Sequence, residues 1–530
     1  MLDEKKAAVR HATVATSDEE LIKAKQSGTR KRGNAEFAGI MSAWDRIQCR
    51  LHPKFSFFFD GTGNSMQQEM AKPQNERALS NIAKLFRATI DDDKAPEAFA
   101  RYISGVGTPF HTPHAAIGED RGGKLGLGFG AGGDLRLNFA LFEFNRILNH
   151  EYSPTELAHV HYISLAVFGF SRGATLARAF VRRLLAQCEP GADGPLWTAK
   201  CGKKVRLRVI FMGLFDTVAS VGGPGLHMDW GAELAIPPEV ERCVHFVSGH
   251  EVRQAFPLDS VRVAKAYPAN CEEVVYPGVH SDVGGGYAPS QYGRSNLLSR
   301  IPLRDMYAEA LRSGVLMKGF PELSSEDLHE FALDAGHSIV DLYNNYQSAL
   351  SSTGSDLESL ILAHRRLLFR WRGALHRAGR QSHVLGTLYR EVDVDACLAA
   401  PAAKQRLPCP PTSWKYALPK EPGQQARQLI AEHHRLVQRI EFLRNPLERQ
   451  GDAVWPRPLT SYEQLILAAW DEAAPLSEPI EALLSEHVHD SVAHFNEWPC
   501  ALHDPRGIYC DVQKYYVQFN RQGPDVLAAA

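Results

Sequence analysis

Apolar residues follow two rhythms along this chain, and the change from one to the other marks its elements. Short continuous runs are the first: "KFSFFF" at 54–59, leading into "DGTGN"; "HYISLAVFGF" at 161–170; "VRLRVIFMGLF" at 205–215; a weaker "VERCVHFVSGH" at 240–250; and "EEVVYPGVHS" at 272–281. Runs of this length between turn residues predict buried strands. "LRLNFALFEFNRILNHEY" at 135–152 and "RGATLARAFVRRLLAQC" at 172–188 instead repeat apolar positions at helical spacing. Strands without polar alternation, separated by amphipathic helices, predict a mostly parallel sheet with helices on both faces.

The strand rhythm fades after about residue 300. "DLESLILAHRRLLFRWRGALHR" (356–377) and "QQARQLIAEHHRLVQRIEFLR" (424–444) are helical in period, and proline-rich breaks fall at 408–411 and 456–458. Residues 1–50 are charged and rich in Ser, Thr and Lys. Three parts are therefore expected: a polar N-terminal extension (1–50), an α/β domain (51–310) and a mainly helical C-terminal region (311–530).

Composition narrows the class without choosing a chemistry. The 530 residues are 44% apolar and 23% charged with a net charge of −2, so no overall charge draws the chain to nucleic acid. Nine cysteines are scattered with no CxxC pair, which fits a reducing compartment and argues against a structural zinc knuckle. The N-terminus has no apolar signal core, and no uncharged run reaches the length of a bilayer span. The chain is expected to be made in the cytoplasm without a signal peptide, so work elsewhere requires a dedicated exporter.

Gly169-Phe170-Ser171-Arg172-Gly173 is G-x-S-x-G with a predicted strand before it and a helix after it. That context turns a weak pattern into a nucleophile elbow, where a strained turn exposes the serine hydroxyl. A serine nucleophile needs a base and a group that orients the base. In the α/β-hydrolase order the acid and then the histidine follow the serine, on loops after later strands. Asp216 closes the run at 205–215 and His280 falls at the end of the run at 272–281. Asp282 is a rival acid, and His489 in "HVHDSVAHF" (487–495) is an alternative base. Each also has an ordinary reading, as a capping Asp or a packed loop histidine.

Ester hydrolysis also needs amides for the oxyanion. One is expected from Arg172, the residue after the nucleophile, and another from Gly61 or Thr62 in "DGTGN". Asp60 could instead head an aspartyl-phosphate loop, but that chemistry wants a second Asp where Thr62 stands. "GGKLGLGFGAGGD" (122–134) contains a literal G-x-G-x-x-G, yet no strand precedes it. It reads as a wall or flap near a pocket rather than a dinucleotide site.

Taken together, "FFFDGTGN", "GFSRGA", "LFDTVAS", "HEVRQAFPLD" and "YPGVHSDVGGGY" resemble, in this order, the signature blocks of bacterial type VI secretion lipase effectors, specifically the antibacterial phospholipase A class with a GFSRG elbow. The resemblance spans residues 54–310. It implies an α/β-hydrolase domain with Ser171, Asp216 and His280 as catalytic triad and phospholipid as substrate. It further implies delivery to the periplasm or membrane of a target cell, a cognate immunity protein, and a secretion-spike or adaptor partner. No metal or cofactor is implied.

A phospholipase must reach a membrane surface. The stripe Leu357, Leu360, Ile361, Leu368, Trp371 and Leu375, with five nearby arginines, suits either a basic interfacial helix or an ordinary helix packed on the core. "GGPGLHMDWGAELAIPP" (222–238) suits a lid or a plain loop. Two other functions stay open: an intracellular esterase or thioesterase on soluble acyl substrates, and a lipid-binding module without catalysis.

Overall fold

The structure is a computed structural model. It describes residues 8–38, 51–90, 97–112, 117–223, 226–253, 255–263, 266–333, 338–350, 356–378, 436–450, 453–491, 506–510, 515–518 and 525–528. The prolines at 408–411 and the first half of the helix expected at 424–444 lie outside these residues.

Each of the five apolar runs forms a strand, because a continuous stretch of large side chains can be buried on both faces only inside a covered sheet. The strands used below are β1 (Val9–His11), β2 (Lys54–Phe59), β3 (Ala98–Ile103), β4 (Tyr162–Phe170), β5 (Leu196–Thr198), β6 (Lys204–Phe215), β7 (Cys243–Ser248), β8 (Leu258–Asp259), β9 (Cys271–Tyr276) and β10 (Ile508–Cys510). The central sheet runs β1-β9-β7-β6-β4-β2-β3, all neighbours parallel, and β5 adds antiparallel to β6. In β4 all nine residues are buried. The expected fold class is present: an α/β-hydrolase-like, mostly parallel sheet with helices around it, and a mainly helical C-terminal region.

One face packs on α1 (Asp18–Ala38), α2 (Asn81–Arg87) and α3 (Arg300–Arg312), through residues such as Phe168, Phe211, Ile301 and Met306. The other packs on the helices at Gly133–His150 and Arg172–Leu185, through Phe57, Val167, Phe144 and Phe180. Both helices arise where the helical rhythm predicts them.

The N-terminal segment differs from a peripheral extension. Val9–His11 pair with Glu273–Val275 as the edge strand, and α1 packs along α3, where a Cβ on Gly28 would lie 1.7 Å from the Leu311 carbonyl oxygen. Glycine there lets two helix backbones touch. A three-residue strand is too short to announce itself by periodicity.

The arginine-bearing segment at 356–377 is α4 (Leu357–Ala378), and it packs on the core. Leu357, Leu360, Ile361, Trp371 and Leu375 are buried. Arg366 and Arg370 reach Glu472, and Arg372 reaches Asp490. These arginines are occupied within the fold, so the ordinary reading holds and the interfacial one does not. The C-terminal region also holds a strand that sequence rhythm did not reveal: β10 pairs in parallel with β8, just beyond the carboxyl end of the main sheet.

Candidate active site

Strand register brings the predicted residues to one edge. Phe170 sits opposite Phe215, Phe215 opposite Phe246, and Ser248 opposite Tyr276. The residues after these strand ends therefore converge at the carboxyl edge, where open α/β sheets bind ligands. Ser171 N donates to Phe215 O at 3.0 Å, which puts the serine beside Asp216.

Ser171 has φ 57° and ψ −128°, and Asp216 has φ 43°. Non-glycine residues in this region are strained, and such strain persists only where the surroundings impose it. The elbow glycines explain how. A Cβ on Gly173 would lie 2.3 Å from the carbonyl oxygens of Phe59 and Asp60, and one on Gly169 would lie 2.5 Å from Ala174 Cα. The turn is thus pressed between β2 and the helix that follows it.

His280 follows β9 at the start of a short helix, and its Nδ1 is 2.5 Å from Asp216 Oδ2. Its ring lies 4.6 Å from that of Phe170 and 5.3 Å from that of Phe256. Among the described residues its buried Nε2 has no hydrogen-bond partner, so it is not bonded to Ser171 Oγ here. Such contacts often close only when substrate arrives. Burial pulls the His280 pKa below its ordinary value against the opposing pull of Asp216. Burial pushes the Asp216 carboxyl up, but the charge of Arg506 and the bond from His280 overcome it and hold it well below the carboxylate range.

His489 stands elsewhere. Its Nδ1 is 2.6 Å from Asp282 Oδ1, its backbone N–H donates to Asp282 Oδ2, and its ring stacks on Tyr287 at 3.9 Å. Asp282 also accepts from Val279 N at 3.0 Å, which secures the turn that carries His280. The two Asp–His pairs are thus separate, and it is the Asp216–His280 pair that adjoins the elbow.

Of the two amides expected in the "DGTGN" turn, Gly61 N is taken by Asp60 Oδ1 at 2.7 Å, while among the described residues no hydrogen bond engages Thr62 N. Asp60 itself is buried, bonded to Tyr102 and Gly61, and pushed up in pKa by burial. It is a structural anchor, not an exposed phosphate acceptor. Arg172 is the first residue of the post-elbow helix, where amides lack intrahelical acceptors. Its guanidinium donates to Thr62 Oγ1 (2.7 Å), Gly126 O (3.2 Å) and Leu127 O. One side chain thus joins the elbow, the "DGTGN" turn and the glycine-rich segment.

That segment seats a tryptophan: a Cβ on Gly133 would lie 2.2 Å from Trp230, and one on Gly130 would lie 3.1 Å away. Gly222 N donates to Phe129 O at 2.9 Å. The glycine-rich segment at 122–134 and the loop after Asp216 therefore interlock. Leu125, Phe129, Leu226 and Met228 stand on them, 49–69% exposed.

Several contributors carry no local sequence signal. Arg506 pairs with both oxygens of Asp216, Ser248 N donates to Asp216 Oδ1 at 2.8 Å, and Glu251 accepts from His280 N at 3.2 Å. His245 Nε2 accepts from Thr217 N at 3.0 Å while Nδ1 meets Glu273 at 2.8 Å, which secures the turn after Asp216. Among the described residues no group of three or more His, Cys, Asp and Glu is placed to hold a metal, and no helix is long and apolar enough to cross a membrane.

A parallel sheet, a strained serine between strand and helix, and loops gathered at its carboxyl edge define an α/β-hydrolase-like protein. Residues 54–188 and 198–309 match the type VI secretion system Tle1-like phospholipase effector family, catalytic domain. A crystal structure of an uncharacterized protein from Pseudomonas aeruginosa shares the fold, with TM-score 0.70, 23% identity, and 96% of this chain and 85% of that one covered. A Tle1 effector bound to the VgrG spike of the type 6 secretion system is also similar, with TM-score 0.38, 20% identity, and 59% and 84% covered. No curated protein matches the chain.

Proposed function

We propose that this chain is a serine-dependent phospholipase A that hydrolyses acyl esters of membrane phospholipids as an antibacterial effector. The observation that carries the reading is the Asp216–His280 hydrogen bond beside the strained Ser171. His280 Nε2 removes the Ser171 hydroxyl proton, and Oγ attacks the ester carbonyl carbon. The Arg172 and Thr62 amides hold the oxyanion, while Asp216 holds the ring and stabilises the imidazolium. Collapse breaks the acyl–oxygen bond, and His280 gives its proton to the departing lysophospholipid oxygen. Water then cleaves the acyl-enzyme by the same route. Every step uses side chains and amides of the chain itself, with no metal or organic cofactor.

A membrane substrate is favoured over a soluble thioester or ester by the apolar rim of Leu125, Phe129, Leu226 and Met228. Large exposed apolar groups cluster at surfaces that meet lipid or partners. The catalytic-domain match supports delivery by a type VI machine into a target cell, with a spike or adaptor protein as carrier and an immunity protein in the producer. The test is hydrolysis of phospholipid vesicles by the purified protein. Ser171→Ala and His280→Ala are expected to lose at least ~10³-fold in rate with the fold intact, while His489→Ala keeps a measurable fraction. Activity that survives Ser171→Ala ends the serine mechanism, and loss with His489→Ala but not His280→Ala reassigns the base.

A further inference from the structure

Asp216 carries more than a triad acid needs. Arg506 Nη1 is 2.7 Å from Oδ2, the same oxygen that meets His280, and Nη2 takes Oδ1. The guanidinium is buried, 2% exposed, and also donates to Phe256 O at 3.4 Å. Phe256 is the ring that stands edge-on to His280. Arg506 comes from the chain just before β10, 290 residues beyond Asp216, and β10 is held by its pairing with β8. Two further C-terminal residues end in the same place: Ser491 Oγ donates to Glu251 at 3.0 Å, and His489 bonds Asp282.

We propose that Arg506 is a positioning and tuning residue of the active site: it fixes the Asp216 carboxylate toward His280 and shares its charge, so that the histidine stays a neutral base into mildly acidic solution. The proposal rests on the triad assignment above. A carboxylate already matched by a guanidinium stabilises an imidazolium less than a carboxylate facing the histidine alone. The bidentate fork also fixes the carboxylate plane, which a single ring nitrogen does not. Several other charged groups bear on His280. Glu251 sits under its backbone amide and favours the charged ring; Arg253, paired to Glu251 at 2.9 Å, opposes it. On its own short helix Asp282 is spoken for by His489 and Val279 N. None of these touches Asp216, so among the described residues Arg506 is the cation that acts through it.

The experiment reads the His280 pKa directly, by NMR of labelled histidine in the Ser171→Ala protein, with the signal assigned by its loss in His280→Gln. Arg506→Gln is expected to raise that pKa by about one unit or more, and Arg506→Lys to leave it within a few tenths of wild type. In the active enzyme the acid limb of kcat/KM moves up by the same amount in Arg506→Gln. An unchanged His280 pKa in Arg506→Gln, or an equal rise in both variants, overturns the proposal. Should Arg506→Gln not fold, stability decides: Asp216→Asn/Arg506→Gln is expected to be more stable than Asp216→Asn, which strands a buried guanidinium. Equal stability of those two overturns it. The NMR result is independent of turnover, so inactivity toward lipid would count against the proposed function and not against this pairing.

Discussion

At the scale of single residues, the site is held by conformations that its side chains do not prefer. Ser171 and Asp216 are two of four described non-glycine residues with positive φ. Strain of this kind costs on the order of 1–3 kcal/mol per residue. Ser171→Gly is therefore expected to raise stability by about 1 kcal/mol or more while removing the nucleophile. A thermal melt beside Ser171→Ala checks it; if both variants melt alike, the elbow stores no backbone strain. The convergence of Ser171, Asp216 and His280 on one edge was legible because each stands at the end of an apolar run. Arg506 and the side chain of Arg172 were not legible. Their partners lie 290 and 110 positions away, at Asp216 and Thr62, and no local pattern records such a contact.

At the scale of elements, the two interlocked loops make separable demands. Arg172 ties the "DGTGN" turn to the flap, so Arg172→Leu should misplace the Thr62 amide. A fall of ~10- to 10³-fold in kcat is expected on vesicles and on soluble esters alike, since oxyanion contacts serve every acyl substrate. Leu125→Asp with Phe129→Asp should behave differently. Those side chains are 69% and 51% exposed, so their exchange leaves the core untouched. Vesicle hydrolysis is expected to fall by tenfold or more and short-chain ester hydrolysis to change less than twofold, given about 1.5–3 kcal/mol for burying each large apolar group. Equal effects on both substrates would mean that the rim does not meet lipid. Sequence rhythm found the elements with long uniform runs, such as Tyr162–Phe170, and missed Val9–His11 and "AFARYI" (98–103), which are short or interrupted by charge. Glycines marked 122–134 as a wall or flap, but revealed neither the helix Lys124–Phe129 that forms within it nor Trp230, which Gly130 and Gly133 seat.

At the scale of the whole molecule, a buried chain of polar rings joins parts far apart in sequence. Gly278 N donates to His250 Nδ1, so His250 Nε2 carries the proton toward Tyr346 OH at 2.9 Å. Tyr346 then donates to His364 Nδ1 at 3.0 Å, and His364 Nε2 donates to His11 Nδ1 at 3.2 Å. The N-terminal edge strand, the sheet's carboxyl edge and α4 thus share one directional network, two residues from His280. Burial, reinforced by the charge of Arg365, lowers His250 to about 3, and burial also lowers His364 and His11. The unfolded chain, with histidines near 6.5, binds more protons than the folded one once pH falls below that value. Stability is full above pH 6.5 and drains as pH falls toward 3, by up to about 1.4 kcal/mol per unit for each ring that stays neutral. Urea titrations at pH 7 and pH 5 are expected to show a loss of several kcal/mol for the wild type. His250→Gln with His364→Gln should start lower at pH 7, because the network is broken, yet lose markedly less between the two pH values. An identical loss in both proteins would place the acid sensitivity elsewhere. The same network bears on turnover: acid that unlocks it loosens the turn carrying His280, so an irreversible fall in activity after acid exposure should track the stability loss and not the reversible titration of the base.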